Sequence, residues 1–293
     1  MKKVLTIVSN EDNIISNNSF EAIQDLMNTK TRNTWLKREF ACDLYFDDTT
    51  AKIDENLFNY LDQKQFDWAI QEDLNRNKKL FLSDMDSTMI KQECIDELAH
   101  YAGVREEVSL ITTKSMNGEI SFTEAFIQRV GLLEGMDINA LDEVYSNIAL
   151  NDGAELLLRN LSKQNIYTVL VSGGFTFFTD KLSEKLGFRE NYANKLEILD
   201  NTITGRVVPP IIDGNAKRNI LDQITKKMKL NSHDVVSVGD GANDMAMLQH
   251  AGMGVAFQGK PALREKIELQ LNHTDLTGLL YLQGYHSAEF STS

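Results

Sequence analysis

Two aspartates one residue apart follow the apolar run Leu80-Phe81-Leu82, in the stretch Asp84-Met85-Asp86-Ser87-Thr88. Carboxylates this close repel and raise each other's pKa unless a cation or hydrogen bonds compensate. A lone D-x-D also reads as an Asx-rich turn closing a strand, since Asp and Ser are common turn formers. Recurrence shifts the weight toward chemistry. The apolar run 167–171 leads into Ser172-Gly173-Gly174, and the run 235–238 leads into Gly239-Asp240-Gly241-Ala242-Asn243-Asp244. Continuous apolar runs followed by small polar residues and then a helical pattern are the sequence form of parallel strands buried on both faces. Ligands of open α/β sheets bind beyond the carboxyl ends of such strands, so the three polar clusters are expected to converge there.

Convergence would gather Asp84, Asp86, Asp240 and Asp244, a concentration of negative charge that calls for a divalent cation. Magnesium fits: the available ligands are hard oxygens, and no Cys or His lies near these clusters to suggest zinc. Ser172 and the Gly173 and Gly174 amides, placed at a strand-to-helix turn, supply donors of the kind that hold a phosphate at a helix N-terminus. Lys217, on the amphipathic stretch 215–230, adds the cation that lets a carboxylate approach a phosphate dianion. Together these parts describe phosphoryl transfer through a covalent intermediate, with an aspartate nucleophile already ionised at neutral pH. Phosphate monoester hydrolysis is very slow uncatalysed, so positioning and charge neutralisation must supply most of the acceleration. Asp86 is the candidate to protonate the leaving alkoxide and later take a proton from water.

Asp84-x-Asp86-x-Thr88, Ser172-Gly173-Gly174, Lys217 and Gly239-Asp240-Gly241-x-Asn243-Asp244, in that order, resemble the four motifs of the haloacid dehalogenase superfamily of phosphatases. The resemblance covers roughly residues 79–285. Within the superfamily it is closest to the phosphoserine phosphatases. The stretches that carry this run from Asp84 through Glu93 to Glu97, from Met116 to Phe122 and on to Arg129, and from Gly239 to Leu248. The resemblance implies a Rossmann-like α/β core with a parallel sheet, and magnesium-dependent hydrolysis of O-phospho-L-serine, the last step of serine biosynthesis. It also implies roles. Asp84 would be the nucleophile and Asp86 the general acid and base. The metal would be held by Asp84, the Asp86 carbonyl and Asp240, with Asp244 in support. Ser172, Gly173 and Lys217 would bind the phosphoryl group, Asn243 would help place it, and Glu93 and Arg129 would recognise the amino-acid portion.

The last assignment has an independent reading. Phosphoserine carries an ammonium beside a carboxylate, so a selective pocket needs one acid and one base away from the phosphate. Ser121 and Glu124 form an S-x-x-E capping box that starts a helix, placing Phe122 and Arg129 seven residues apart on one face. Phe122 could wall the substrate while Arg129 forks onto its carboxylate.

Residues 92–150 keep helical spacing, as at Ile95, Leu98, Ala99 and Ala102 and at Leu141, Val144, Tyr145 and Ile148, and are expected to form a helical cap inserted after the first core strand. Gly103, Gly118 and Gly135 punctuate it, and Asn151-Asp152-Gly153 marks the return hinge. Cap closure excludes water before chemistry, and opening releases product. The core is expected over 77–91 and 151–286, including a hairpin turning at Asp200-Asn201, with a frayed tail at 287–293. Residues 1–76 read as a small α+β domain: a strand at 3–8, a helix at 20–27, a strand at 40–46 and a helix at 57–61. Their order weakly resembles the amino-acid-binding ACT modules; a serine sensor and a degenerate module giving only packing or homodimer contacts both stand. The link 71–79 is charged, lacks Gly and Pro, and reads as a helix end.

The chain has 293 residues, 42% hydrophobic, enough for one large core and a small second domain. A net charge of −13 with no basic stripe argues against a nucleic-acid partner. Two cysteines, Cys42 and Cys94, read as reduced thiols of a cytoplasmic protein, and no run is long enough to cross a bilayer. Three rival readings stay open. The phosphoaspartate could pass its phosphate to homoserine, the substrate could lack an amino acid as phosphoglycolate does, or the chain could be a non-catalytic amino-acid sensor.

Overall fold

The computed structural model describes residues 2–48, 53–116 and 119–290. Its first unit runs β1 (Lys2–Val8), α1 (Asn17–Leu26), β2 (Arg32–Lys37), β3 (Ala41–Asp47), α2 (Glu55–Gln63) and β4 (Asp67–Glu72). The sheet is antiparallel with order β2-β3-β1-β4, a split βαβ arrangement. Ser16 and Asp54 cap the two helices by accepting the amides of Ser19 and Asn56, which fixes where each begins. Leu5, Ile7, Ile23, Leu44, Leu57 and Leu61 form the core. Sequence reading missed β2 and β4. Both are edge strands, where polar and charged residues are favoured over a clean apolar run.

The second unit is built on a seven-stranded sheet. The chain enters along β5 (Leu80–Ser83), then forms the four helices α3 (Cys94–Ala102), α4 (Arg105–Met116), α5 (Phe122–Gly131) and α6 (Asn139–Ser146). It returns through α7 (Ala154–Lys163), β6 (Tyr167–Phe175) and α8 (Thr176–Leu186), and then the hairpin β7 (Glu190–Leu199) and β8 (Thr202–Val208). The remainder is α9 (Gly214–Lys227), β9 (Val235–Gly239), α10 (Met245–His250), β10 (Met253–Phe257), α11 (Pro261–Arg264), β11 (Leu269–Leu271) and α12 (Gly278–Leu282). Strand order is β11-β10-β9-β5-β6-β7-β8, parallel except for β8. Side chains of β5 alternate between two helical layers. Phe81 joins the cluster with Leu157, Leu161 and Phe178, whereas Leu80 and Leu82 join Leu221, Ile224 and Met247. Burial on both faces is why these strands read as unbroken apolar runs.

From β5 the chain goes first to β6 on one side and later to β9 on the other, so the order reverses at the centre of the sheet. The carboxyl ends of β6, β5 and β9 therefore stand side by side. The hairpin turns at Asp200 and Asn201, both at positive φ (49° and 61°), as a two-residue primed turn requires.

Helices α3 to α6 form a lid hung on two short paired connectors: Lys91 donates to the Ala149 carbonyl and Asn151 to that of Met89. The Asn151 side chain also donates to the carbonyls of Thr88 and Ile90. Farther out, the lid is stitched to β8. Gly135 donates to the Ile203 carbonyl, Ile203 to that of Met136, and Ile138 to that of Asn201, each at 2.9 Å. Gly118, which sequence reading placed as a lid punctuation, lies outside the described residues.

Two sequence expectations need correction. The link after β4 is not a helix end: the strand continues to Glu72, and the irregular segment beyond it is pinned by buried Arg76. That guanidinium pairs with Asp43 at 2.6 Å and donates to Thr6 and to the Tyr281 and Leu282 carbonyls, joining the two units. Asp67 does the same from β4, accepting the amides of Asn272, His273 and Thr274 and the Thr274 hydroxyl. Residues 287–290 are not a frayed tail. They form a short 3-10 turn closed by His286 and Glu289, and Phe290 packs on the Tyr281 ring at 5.3 Å. An apolar side chain able to cover a buried tyrosine outweighs the small polar composition around it.

Candidate active site

Asp84 follows the last residue of β5, and its amide donates to the Val238 carbonyl of β9. Its carboxylate is 4% exposed and accepts a 2.7 Å bond from Lys217 Nζ. Lys217, completely buried on α9, makes a second 2.7 Å bond to Asp244. Asp240 follows β9 and lies close by. Carboxylate oxygens of Asp84, Asp240 and Asp244 all come within 4.8 Å of one another. Thr88 donates weakly to Asp240 at 3.4 Å. Gly239 explains how Asp244 comes so near the end of β9: a Cβ there would overlap the Asp244 carboxylate.

Charge is out of balance here. Burial pulls the Lys217 ammonium down, but the carboxylates of Asp244 and Asp84 more than offset it and hold it protonated. Burial, then the charge of Asp244, pushes the Asp84 carboxyl well above the ordinary carboxylate range despite Lys217. Asp240 is raised by burial, with Lys260 opposing. A group of hard anionic oxygens that outnumber their lysines, Lys217 and Lys260, has the donor chemistry of a divalent metal site.

Asp86 sits apart from this cluster. One oxygen accepts the Cys94 amide at 2.9 Å and the other the Ser172 hydroxyl at 3.2 Å. Burial and then the charge of Glu93 push it up to about 6. That value lets one carboxyl give and take a proton near neutrality. Cys94 corrects the sequence expectation that no cysteine lies near the clusters. Its thiol is raised by burial and by Asp86, so it stays neutral and offers no thiolate to a metal.

Ser172, Gly173 and Gly174 are not at a helix N-terminus, as the sequence suggested. They belong to the extended end of β6, and α8 begins only at Thr176. The pairing of β6 with β7 breaks between Val171 and Phe175, which lifts these residues out of the ladder. The Ser172 hydroxyl accepts the Gly174 amide, and a Cβ on Gly174 would come within 2.8 Å of Asp86. Phe122 opens α5, which begins at the capping box of Ser121 and Glu124, and its ring edge lies over Gly173. It stacks in parallel on Phe126.

Arg129 lies on the same helix, half-buried, donating to the Ala125 carbonyl and to Thr112. Burial lowers its pKa, while the charges of Asp96, Glu93 and Asp86 oppose. Glu93 accepts the Ser87 hydroxyl at 2.8 Å. Asn243 is half-buried on the 3-10 turn after β9, and its backbone is packed against Gly214 at the start of α9. Lys260 was missed by sequence reading; it reaches Asp240 at 3.0 Å and Glu93 at 3.3 Å. Only its place in a Lys-Pro pair that starts a short helix could have drawn notice. A cleft of about 780 Å³ leads outward from Ser87, Asp240 and Lys260 to the β1–α1 loop of the first unit.

Residues 78–252 match the family described as haloacid dehalogenase-like hydrolase, and the chain belongs to that family. Within it, the chain is 41% identical over 243 residues to a phosphoserine phosphatase of Archaeoglobus fulgidus, covering 82% of this chain and 70% of that protein. A substrate-bound phosphoserine phosphatase structure superposes with a TM-score of 0.66 at 39% identity, over 70% of this chain and 98% of the other. A family hydrolase from Salmonella enterica serovar Typhi, 27% identical, matches 96% of this chain and 98% of its own with a TM-score of 0.86. The first unit therefore has a counterpart in that structure.

Proposed function

We propose that this hydrolase converts O-phospho-L-serine to L-serine and phosphate through a phosphoaspartate, using magnesium. The observation that carries the reading is the meeting of Asp84, Asp86, Ser172 and Asp240 at three adjacent strand ends, with Lys217 buried between two of the acids. An Asp84 oxygen attacks phosphorus and the P–O bond to serine breaks. Asp86 gives its proton to the departing alkoxide. It then takes a proton from the water that attacks the phosphoaspartate, which releases phosphate and restores Asp84. Lys217, the Ser172 hydroxyl and the Gly173 amide hold the phosphoryl oxygens, and Asn243 borders them. Asp84, the Asp86 carbonyl and Asp240, with Asp244 in support, would hold Mg²⁺, which when bound neutralises charge on carboxylates and phosphoryl oxygens alike.

Glu93 and Arg129 supply the acid and base that an amino-acid substrate needs, with Phe122 as the wall between. A substrate without an ammonium leaves the second Glu93 oxygen without a partner, which disfavours phosphoglycolate. Both cysteines are free and buried, which suits the reducing cytoplasm, and no helix among the described residues is long and apolar enough to cross a membrane. Phosphate release from O-phosphoserine, O-phosphothreonine and phosphoglycolate, with and without Mg²⁺ and with homoserine as acceptor, tests the reading. Fast Mg²⁺-dependent release from phosphoserine to water is expected. Preferential formation of phosphohomoserine would make the chain a phosphotransferase instead.

A further inference from the structure

We propose that Lys260, acting with Ser87, is the positioning residue that sets selectivity for an amino-acid phosphate by holding the Glu93 carboxylate in register with the metal-side acid Asp240. The proposal rests on the reading of Glu93 as the site for the substrate ammonium. Both holders grip the same oxygen. The Ser87 hydroxyl donates to Glu93 Oε1 at 2.8 Å and Lys260 Nζ lies 3.3 Å from it. No hydrogen bond or ion pair among the described residues reaches Oε2. One oxygen is thus fixed and the other is left to a ligand cation.

The holders are themselves held. Lys260 donates its amide to the Asp240 carbonyl at 2.8 Å, and its ammonium returns to the Asp240 carboxylate at 3.0 Å, so backbone and side chain clasp one residue. Its own carbonyl accepts from Leu263 and Arg264 at the start of α11, where Pro261 fixes the first turn. Ser87 lies at φ +54°, the left-handed region that a serine adopts only when surroundings impose it. Its amide is tied to the Gln92 carbonyl at 3.2 Å, and this conformation places the hydroxyl on Glu93. Glu93 precedes α3 with no cap bond of its own, so without these two contacts nothing described restrains its carboxylate.

The same geometry has an opposite electrostatic consequence. An ammonium beside Glu93 partly neutralises it and competes with the incoming substrate. Kinetics separate the two effects. Steady-state constants for O-phosphoserine and phosphoglycolate are measured on the full chain and on Lys260→Met, Lys260→Arg, Glu93→Gln and the double variant, with thermal melts to confirm folding. Positioning predicts that Lys260→Met raises KM for O-phosphoserine by about fivefold, the effect of losing a half-exposed ion pair, and lowers the preference over phosphoglycolate by the same factor. Lys260→Arg restores most of the preference. In the Glu93→Gln background, Lys260→Met adds no further loss of preference. A fall in KM in Lys260→Met would make the lysine a displaceable counter-ion and overturn the proposal. So would an equal loss on both substrates, which places its effect on Asp240 alone. If Glu93→Gln leaves the preference intact, the ammonium subsite itself fails. If Glu93→Gln destroys it and Lys260→Met does not move it, only the role of Lys260 fails.

Discussion

The protein buries charge in two places, and the two are built on opposite principles. Where the first unit meets the second, Arg76 faces Asp43 with side-chain exposures of 6% and 0%, and every neighbour of the pair is a neutral donor or acceptor. Asp67, nearby, is surrounded by three amides and a hydroxyl. The Arg76 and Asp43 charges are matched within the chain, whereas Asp67 has only neutral donors and burial raises its carboxyl. At the strand ends, Asp84, Asp240 and Asp244 share only the buried Lys217 and the half-exposed Lys260, so the acids stay in excess. Matched burial fixes one arrangement of two units, whereas unmatched burial stores a demand for ligand.

The contrast can be broken from either side. The largest effect is expected from Asp84→Asn, which removes the proposed nucleophile: phosphate release should fall to background while the thermal midpoint holds or rises, because one of several crowded acids is gone. A midpoint that collapses would show that the cluster is structural. Chelation of Mg²⁺ should likewise abolish turnover reversibly, and added Mg²⁺ should raise the melting temperature, read by calorimetry. Arg76→Met is the converse. It strands Asp43 in the interior and should cost about 3 kcal/mol of unfolding free energy in urea titrations, leaving kcat of the folded fraction close to normal. The smallest effect concerns protons. In the proposed mechanism Asp86 is protonated when it assists the leaving group, and burial followed by the Glu93 charge raises it to about 6. Glu93→Gln removes that negative charge, favours ionised Asp86, and should move the alkaline limb of kcat to lower pH. A limb that stays put or moves up would exclude Glu93 as a cause.

The strand ends were legible because the fold announces them locally. A strand buried on both faces gives an apolar run, and the next few residues are where a sheet of this kind meets ligand, so Asp84, Ser172 and Asp240 could be read from position alone. Lys217 gained weight only from its place in the order of motifs, since helical spacing around it also suits a solvated lysine. The junction was invisible. Asp67 meets residues 205 to 207 positions away, and Arg76 meets carbonyls equally remote, so no local spacing encodes either contact. Lys260 failed to register for the same reason, being 167 positions from Glu93. Edge strands β2 and β4 lacked the unbroken apolar run that burial on both faces imposes.

The backbone stitches between the lid and β8 divide the lid into unequal leaves. Helices α5 and α6 flank the segment 135–138, which is sewn to the hairpin, so they are carried as an extension of the sheet. Helix α4 buries only Val108 and leaves Leu110 and Met116 at 65% and 78% exposure, with no comparable backbone seam to the sheet among the described residues. Phe122 and Arg129 thus ride on the sewn helix α5, with the lightly fastened α4 packed beside it. In the proposed reading, Phe122 and Arg129 would therefore meet substrate from the helix sewn to the sheet, while Glu93 would approach from the start of α3.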